Sequence, residues 1–122
     1  VDRGLMGQRD LAALQMESSL CLYPCDTYWP TETGCITVVE SMAAWTPVVT
    51  TDCDSLEEQY GDVSIISKLP FDEDHYVMEV IDLLSDEGRY ATLQHEGRNF
   101  AESRAWEVTS QMWLNLLAGG VA

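Results

Sequence analysis

Two glutamates, Glu32 and Glu40, stand eight residues apart in the stretch WPTETGCITVVESMAAWTPVV, residues 29–49. A carboxylate pair can work as general acid and base, can accept hydrogen bonds from hydroxyls, or can simply solvate a helix. Spacing separates the first two uses. Eight residues of helix, at 1.5 Å per residue, would set the carboxylates about 12 Å apart along the axis. That is too far for two carboxyls acting on one glycosidic bond. The pair suits a grip on two parts of one extended ligand, such as a sugar and a ribose joined by a diphosphate.

The residues between them add a second kind of chemistry. Periodicity predicts a helix over residues 34–44, with Thr33 as its cap and Ile36, Val39 and Ala43 on its inward face. The amides of Gly34, Cys35 and Ile36 then fall in the first turn, where backbone N–H groups lack intrahelical partners. Free amides and a helix dipole attract anions, and Gly34 allows close approach. Tyr28 and Trp29 precede this turn and either stack on a base or an acceptor sugar or cover the core. Every strand–loop–helix unit makes the same geometry, so a capped surface helix explains these residues equally well. The charge balance raises a further question. Between Arg9 and Lys68 there is no lysine, arginine or histidine, so the presumed site is read as having no cation of its own.

The elements that must position these residues alternate. Residues 8–18 read as a helix through Leu11 and Leu14, and LCLY at 20–23 as a buried strand closed by Pro24, with Cys21 in the core. Pro47 ends the 34–44 helix and opens a second strand, PVVTT. A short helix near SLEEQYG and a third strand, VSIIS at 63–67, follow. Asp72 starts an acidic helix to about Ser85, with Val77, Val80, Ile81 and Leu84 expected inward. Helices over about 88–101 and 105–118 close the chain, the last with Trp106, Met112, Trp113, Leu116 and Leu117 as core. Short all-apolar strands alternating with helices predict an α/β domain, an open parallel sheet with helices on both faces. Three strands are few for such a sheet, and the expected remainder lies upstream. No internal repeat or linker divides residues 1–122.

Composition narrows the classes. The chain has 122 residues, a formal charge of −15 and a single lysine, Lys68. Such a surface repels phosphate backbones and anionic membranes, which argues against autonomous nucleic-acid binding. It also fits a high-salt interior, where screening weakens self-repulsion. No apolar run reaches the roughly 18 residues of a transmembrane helix, and no signal peptide is visible, so a cytoplasmic location is expected. The chain opens on VDRGLMG rather than methionine and is read as part of something larger. Cys21, Cys25, Cys35 and Cys53 form no CxxC pair and have no nearby histidine, so they read as thiols in a reducing compartment rather than a metal site. His75 and His95 read as solvated helix surface.

The central stretch, taken with its flanks, resembles a known family. PTETGCITVVESMAAWTPVVTTD resembles the glutamate-seven-residues-glutamate motif of retaining glycosyltransferases of the two-domain GT-B fold, in the large family called group 1. GLMGQRDLAALQMESSLCLYP resembles the family's glycine, helix and strand ending in proline. LLSDEGRYATLQHEGRNFAESRAWEVTSQMW resembles its closing helices. The likeness runs along nearly the whole chain and implies the C-terminal half of a Rossmann-like nucleotide-sugar-binding domain. By position, it implies that Glu32 contacts donor-sugar hydroxyls and Glu40 holds the nucleotide ribose. The amides of Gly34, Cys35 and Ile36 would meet the diphosphate, with Thr37 adding a hydrogen bond. The implied substrate is a nucleotide-diphosphate sugar, transferred with retention, with no cofactor and no bound metal. The implied partners are the donor, an upstream N-terminal domain and, through a free sheet edge, a second copy of the chain.

Two departures from the family pattern stand out. Cys35 occupies the second glycine position of the family's EGFG stretch, and Trp45 replaces the glycine of AMACGTPVV. Trp45 is expected either to adopt ordinary dihedrals or to store modest strain. The resemblance implies that the family's catalytic arginine and lysine lie in an upstream segment that this chain lacks, so the isolated chain is expected to be inactive. A non-catalytic acidic α/β interaction module acting through its sheet edge is the alternative, and an epimerase of the same architecture is a third reading.

Overall fold

The computed structural model describes residues 4–26 and 34–119. In chain order it contains α1 (Gln8–Glu17), β1 (Cys21–Tyr23), α2 (Ile36–Ala43), β2 (Val48–Thr51), α3 (Leu56–Tyr60), β3 (Ile65–Ser67), α4 (Glu73–Ser85), α5 (Glu87–Ser103) and α6 (Trp106–Leu117). The three strands form one parallel sheet in the order β1-β2-β3. The alternation of short apolar strands with helices thus yields the expected α/β unit.

Register explains how the sheet builds two cores. Leu22, Val49 and Ile65 are aligned across the sheet and share one face, because side chains alternate along each strand. On that face Val49 and Ile65 pack with Tyr76 and Leu83 of α4 and Leu93 of α5. The neighbouring position, Val48, joins the opposite core with Val38 and Met42 of α2, Leu56 and Tyr60 of α3, and Ala101 of α5. Cys21 packs against this second core as a half-buried thiol, and burial raises its pKa. All four residues of β2 are buried, as a central parallel strand requires.

The hydroxyls of β2 tie down the end of β1. Thr50 Oγ1 donates to the Tyr23 carbonyl at 2.8 Å, and Thr51 Oγ1 donates to the Cys25 carbonyl at 2.5 Å while accepting from the Cys25 amide at 3.2 Å. From α4, the Tyr76 hydroxyl donates to the Val49 carbonyl at 2.7 Å. Helix starts follow local chemistry too. Asp72 accepts from the His75 amide and caps α4, and Asp86 accepts from the Arg89 amide and caps α5.

α5 links the two faces. Near its start, Tyr90 donates to the Ser19 carbonyl before β1, and Gln94 donates to the Trp45 carbonyl before β2. The helix therefore crosses the amino-terminal ends of these strands. It then runs antiparallel along α2, with Gly97 against Met42. A Cβ on Gly97 would stand 3.2 Å from Met42 Cγ, so glycine is what lets the two helices approach this closely.

Three inward faces differ from those periodicity suggests. In α2 the buried residues are Val38, Ser41 and Met42, whereas Ile36 is exposed and Val39 and Ala43 are only partly covered. The apolar run ITVV supports several phases, and contact with α5 at Gly97 selects the one that turns Met42 inward. In α4, Tyr76 and Leu83 are buried, with Val80 beside them, while Val77, Ile81 and Leu84 are exposed. In α6 no residue is buried, and Trp106 is 83% exposed and Trp113 61%. The spacing marks an apolar face there correctly, but no described element covers it. Thr33, the expected cap of α2, lies outside the described residues.

Burial holds the Tyr76 phenol up at about 12, above its ordinary value near 10. The neutral form is the one the fold favours, so this stabilisation is complete below about pH 10 and is lost as pH rises toward 12. Denaturant midpoints measured from pH 9 to 12 should fall across that window, alongside late phenolate absorbance. Tyr76→Phe should flatten the fall and cost about 1 kcal/mol at neutral pH through the lost hydrogen bond.

Candidate functional site

Of the residues singled out in the sequence, those that the structure describes sit in the first turns of α2, at the carboxyl end of the sheet. Ligands bind at this end in open parallel sheets. Glu32, Tyr28 and Trp29 lie outside the described residues. Gly34, Cys35, Ile36, Thr37 and Glu40 are described. Gly34, Ile36, Thr37 and Glu40 are exposed, and Cys35 is buried. Cys35 is the N-cap residue of α2 and makes no side-chain capping bond. Cys35 adopts extended backbone with φ −85°, so the loop reaches this position without the positive φ for which glycine is favoured. The Cys35 carbonyl accepts a hydrogen bond from the Tyr60 hydroxyl at 3.3 Å, which fixes the entry to α2 against α3.

Glu40 stands on a ridge between two hollows. On one side, a hollow of about 440 Å³ runs between α2 and Leu11, Gln15 and Met16 of α1. On the other, a cleft of about 640 Å³ opens between α2 and the junction of α5 with α6. Gly34, Cys35, Ile36 and Glu40 line one wall of that cleft, and Arg98, Arg104 and Trp106 line the other.

This geometry corrects the reading that the site has no cation. The positive charge arrives from downstream in the chain, because α5 runs antiparallel to α2 and carries its last turns up to the amino end of α2. Arg98 and Arg104 are therefore the residues sequence reasoning missed. The available signal for Arg98 was its recurrence with Ala101 and Glu102 at helical spacing, which puts them on one face of α5. What the sequence does not carry is which helix that face meets.

At the other end of α2, Trp45 has φ +63°. The ordinary-dihedral expectation is thus overturned. The backbone is the left-handed turn that ends many helices. The Thr46 amide donates to the Ser41 carbonyl at 3.0 Å, and the Trp45 amide donates to the Met42 carbonyl at 3.1 Å. These are the paired bonds of a Schellman motif. Three side chains of α5 then hold the tryptophan. Gln94 donates to the Trp45 carbonyl at 2.9 Å, His95 meets the indole edge-on at 5.1 Å, and the Arg98 guanidinium stands 5.8 Å from the ring. Arg98 also donates to the Ala43 carbonyl and, at 2.7 Å, to Glu102. His95 is exposed on α5, as expected, and its ring also meets this turn. The left-handed conformation costs a residue with a Cβ about 1–2 kcal/mol, and these contacts offset it.

Other candidates remain separate from the cleft. His75 pairs with Glu79 at 3.5 Å on the exposed side of α4. Lys68 pairs with Glu57 and with Asp52. The four cysteines are free thiols, of which Cys35 alone lines the cleft. Among the described residues, no group of three or more histidines, cysteines or acids is placed to hold a metal ion, and no helix is long and apolar enough to cross a membrane.

Comparison with known proteins adds one finding. Residues 4–100 match the model of the family described as glycosyl transferases group 1. The match takes in α1 through most of α5, including Gly34–Thr37, Glu40 and Trp45. No curated protein matches the chain.

The Trp45 turn predicts an ordering of variants. Trp45→Ala keeps the left-handed backbone cost and loses the ring contacts, whereas Trp45→Gly loses the ring and relieves the backbone. The glycine variant should be more stable than the alanine variant by about 1 kcal/mol, read from urea denaturation midpoints. Equal stabilities would show that Trp45 carries no backbone strain.

Proposed function

Because the chain belongs to the glycosyl transferases group 1 family, we propose that it is the donor-binding part of a retaining glycosyltransferase that uses a nucleotide-diphosphate sugar. The observation that carries this reading is the cleft, which brings the first turn of α2 and Glu40 to the carboxyl end of a parallel sheet. Glu40 accepts hydrogen bonds from the ribose hydroxyls. The amides of Gly34, Cys35 and Ile36 and the Thr37 hydroxyl receive the diphosphate. Glu32 holds the donor sugar. Departure of the nucleoside diphosphate is the step that these groups assist, because charge grows on the diphosphate as the glycosidic bond breaks. Neither a cofactor nor a bound metal enters this reading.

On the same reading the unit is the C-terminal half of a GT-B nucleotide-sugar domain, and its neighbours lie beside β1. Leu22 is 51% exposed although its aligned neighbour Val49 is fully buried. The exposed stripe of α4, Val77, Ile81 and Leu84, faces the same side, since Leu84 and Ser19 line one shallow hollow. A free strand edge beside uncovered apolar side chains accepts further strands. The upstream part of the domain fills that place, and with it come the acceptor site and the remaining catalytic groups. The isolated chain therefore does not turn over donor. A second copy docking through β1 is the other occupant.

A second reading has its own support. α6 buries nothing, and its apolar residues stand open, which suits an interaction module without catalysis.

One experiment separates the two. Calorimetric titration of the chain with UDP, GDP and ADP should show binding to at least one, weakened about tenfold or more by Glu40→Ala. No binding to any of the three, together with a defined oligomer in sedimentation, would replace the donor reading with the interaction module.

A further inference from the structure

The two arginines of the cleft are not equivalent. Arg98 is committed, since its guanidinium donates to the Ala43 carbonyl and to the Glu102 carboxylate. Arg104 takes part in no ion pair among the described residues, where the pairs are those of Lys68, His75 and Arg98. In a chain with 21 acidic and 6 basic residues, the field of the whole molecule favours a cation, and Arg104 holds its charge without a carboxylate partner among the described residues. Its guanidinium lies 4.5 Å from the centre of the Phe100 ring. Stacking of this kind steadies the planar group while leaving its N–H donors unspent. Arg104 lines the cleft opposite Gly34, Ile36 and Glu40.

We propose that Arg104 is the anion-binding residue of this cleft, and that the group it receives is the diphosphate of the donor nucleotide. The identity of the ligand rests on the donor reading above; the anion-binding role rests on the cleft and on a guanidinium that forms no ion pair among the described residues. An arginine fork matches two phosphate oxygens at once. The carboxylates of the cleft divide the ligand accordingly. Glu102 is already neutralised by Arg98, and Glu40, unable to approach phosphate, takes hydroxyls. Arg104 thus supplies, from downstream, the charge that residues 10–67 lack.

A purely structural role for Arg104 is also definable. It sits at the end of α5, where a positive charge favours the helix dipole. That role moves stability and leaves ligand affinity alone, so the two are separable. The chain and the variants Arg104→Gln, Arg104→Lys and Arg89→Gln are titrated with inorganic pyrophosphate and with UDP, GDP and ADP. Melting temperatures are recorded beside the titrations. Arg89 is an exposed arginine in the first turn of α5 and serves as the charge control.

The expected result is that Arg104→Gln weakens pyrophosphate about tenfold or more, Arg104→Lys recovers part of the loss, and Arg89→Gln changes nothing. Equal pyrophosphate affinity in the chain and in Arg104→Gln overturns the proposal, as does a chain that binds no pyrophosphate. The donor reading fails separately. If pyrophosphate binding depends on Arg104 but no nucleotide binds more tightly than pyrophosphate, the cleft is an anion site and not a donor site. If a nucleotide binds through Glu40 and Arg104→Gln binds it equally well, the donor reading stands and the Arg104 assignment falls.

Discussion

The close approach of α5 to α2 at Gly97 is the constraint on which the rest of the molecule depends. A Cβ at position 97 would crowd Met42 Cγ at 3.2 Å. That contact fixes which face of α2 turns inward, and so which residues remain on its outer ridge. Because the helices run antiparallel, one contact sets both ends. At the carboxyl end of α2 it brings Gln94, His95 and Arg98 around Trp45. At the amino end it brings Arg104 and Trp106 opposite Gly34 and Glu40. Packing, a strained turn and the cleft are thus three results of one helix pair.

The Trp45 turn illustrates how a backbone requirement outlasts the residue that usually meets it. The left-handed conformation is demanded by the way α2 ends and β2 begins, with Thr46 and Pro47 buried directly after it. Glycine would satisfy the demand at no steric cost. Tryptophan satisfies it only with support, and the support comes from side chains some fifty residues away in the chain. His95 and Arg98 are spent partly on this task, which ties the geometry of α5 to the identity of one residue in the turn.

Much of this architecture is legible in the residues themselves. The strands are short apolar runs bounded by Pro24, Pro47 and Ser-rich turns, and each observed strand falls inside the predicted one. Asp72 marks a helix start because its carboxylate accepts the orphan amide that follows, and Asp86 does the same for α5, which begins at Glu87 rather than at about 88. The strand–loop–helix order likewise places Gly34 and the first turn of α2 at the carboxyl end of the sheet. What the sequence does not carry is rotation and partnership. Ile36, Val77 and Ile81 belong to apolar stripes but face outward, since a stripe wider than its cover leaves one flank bare. Trp106 and Trp113 lie one heptad apart on an apolar face that no described element covers. The arginines of the cleft were invisible for a related reason: a charge 60 residues downstream becomes local only through tertiary packing.

The threonines of β2 lead to a different kind of consequence. Thr51 both gives a hydrogen bond to Cys25 and takes one from it, and Thr50 holds Tyr23. The end of β1 is therefore fastened by the sheet itself, before the chain departs toward the glutamate motif. The hold is lateral: the end of β1 is kept in place by side chains of the neighbouring strand. A substitution at Thr50 or Thr51 is therefore felt first at Tyr23 and Cys25, one strand away from the change.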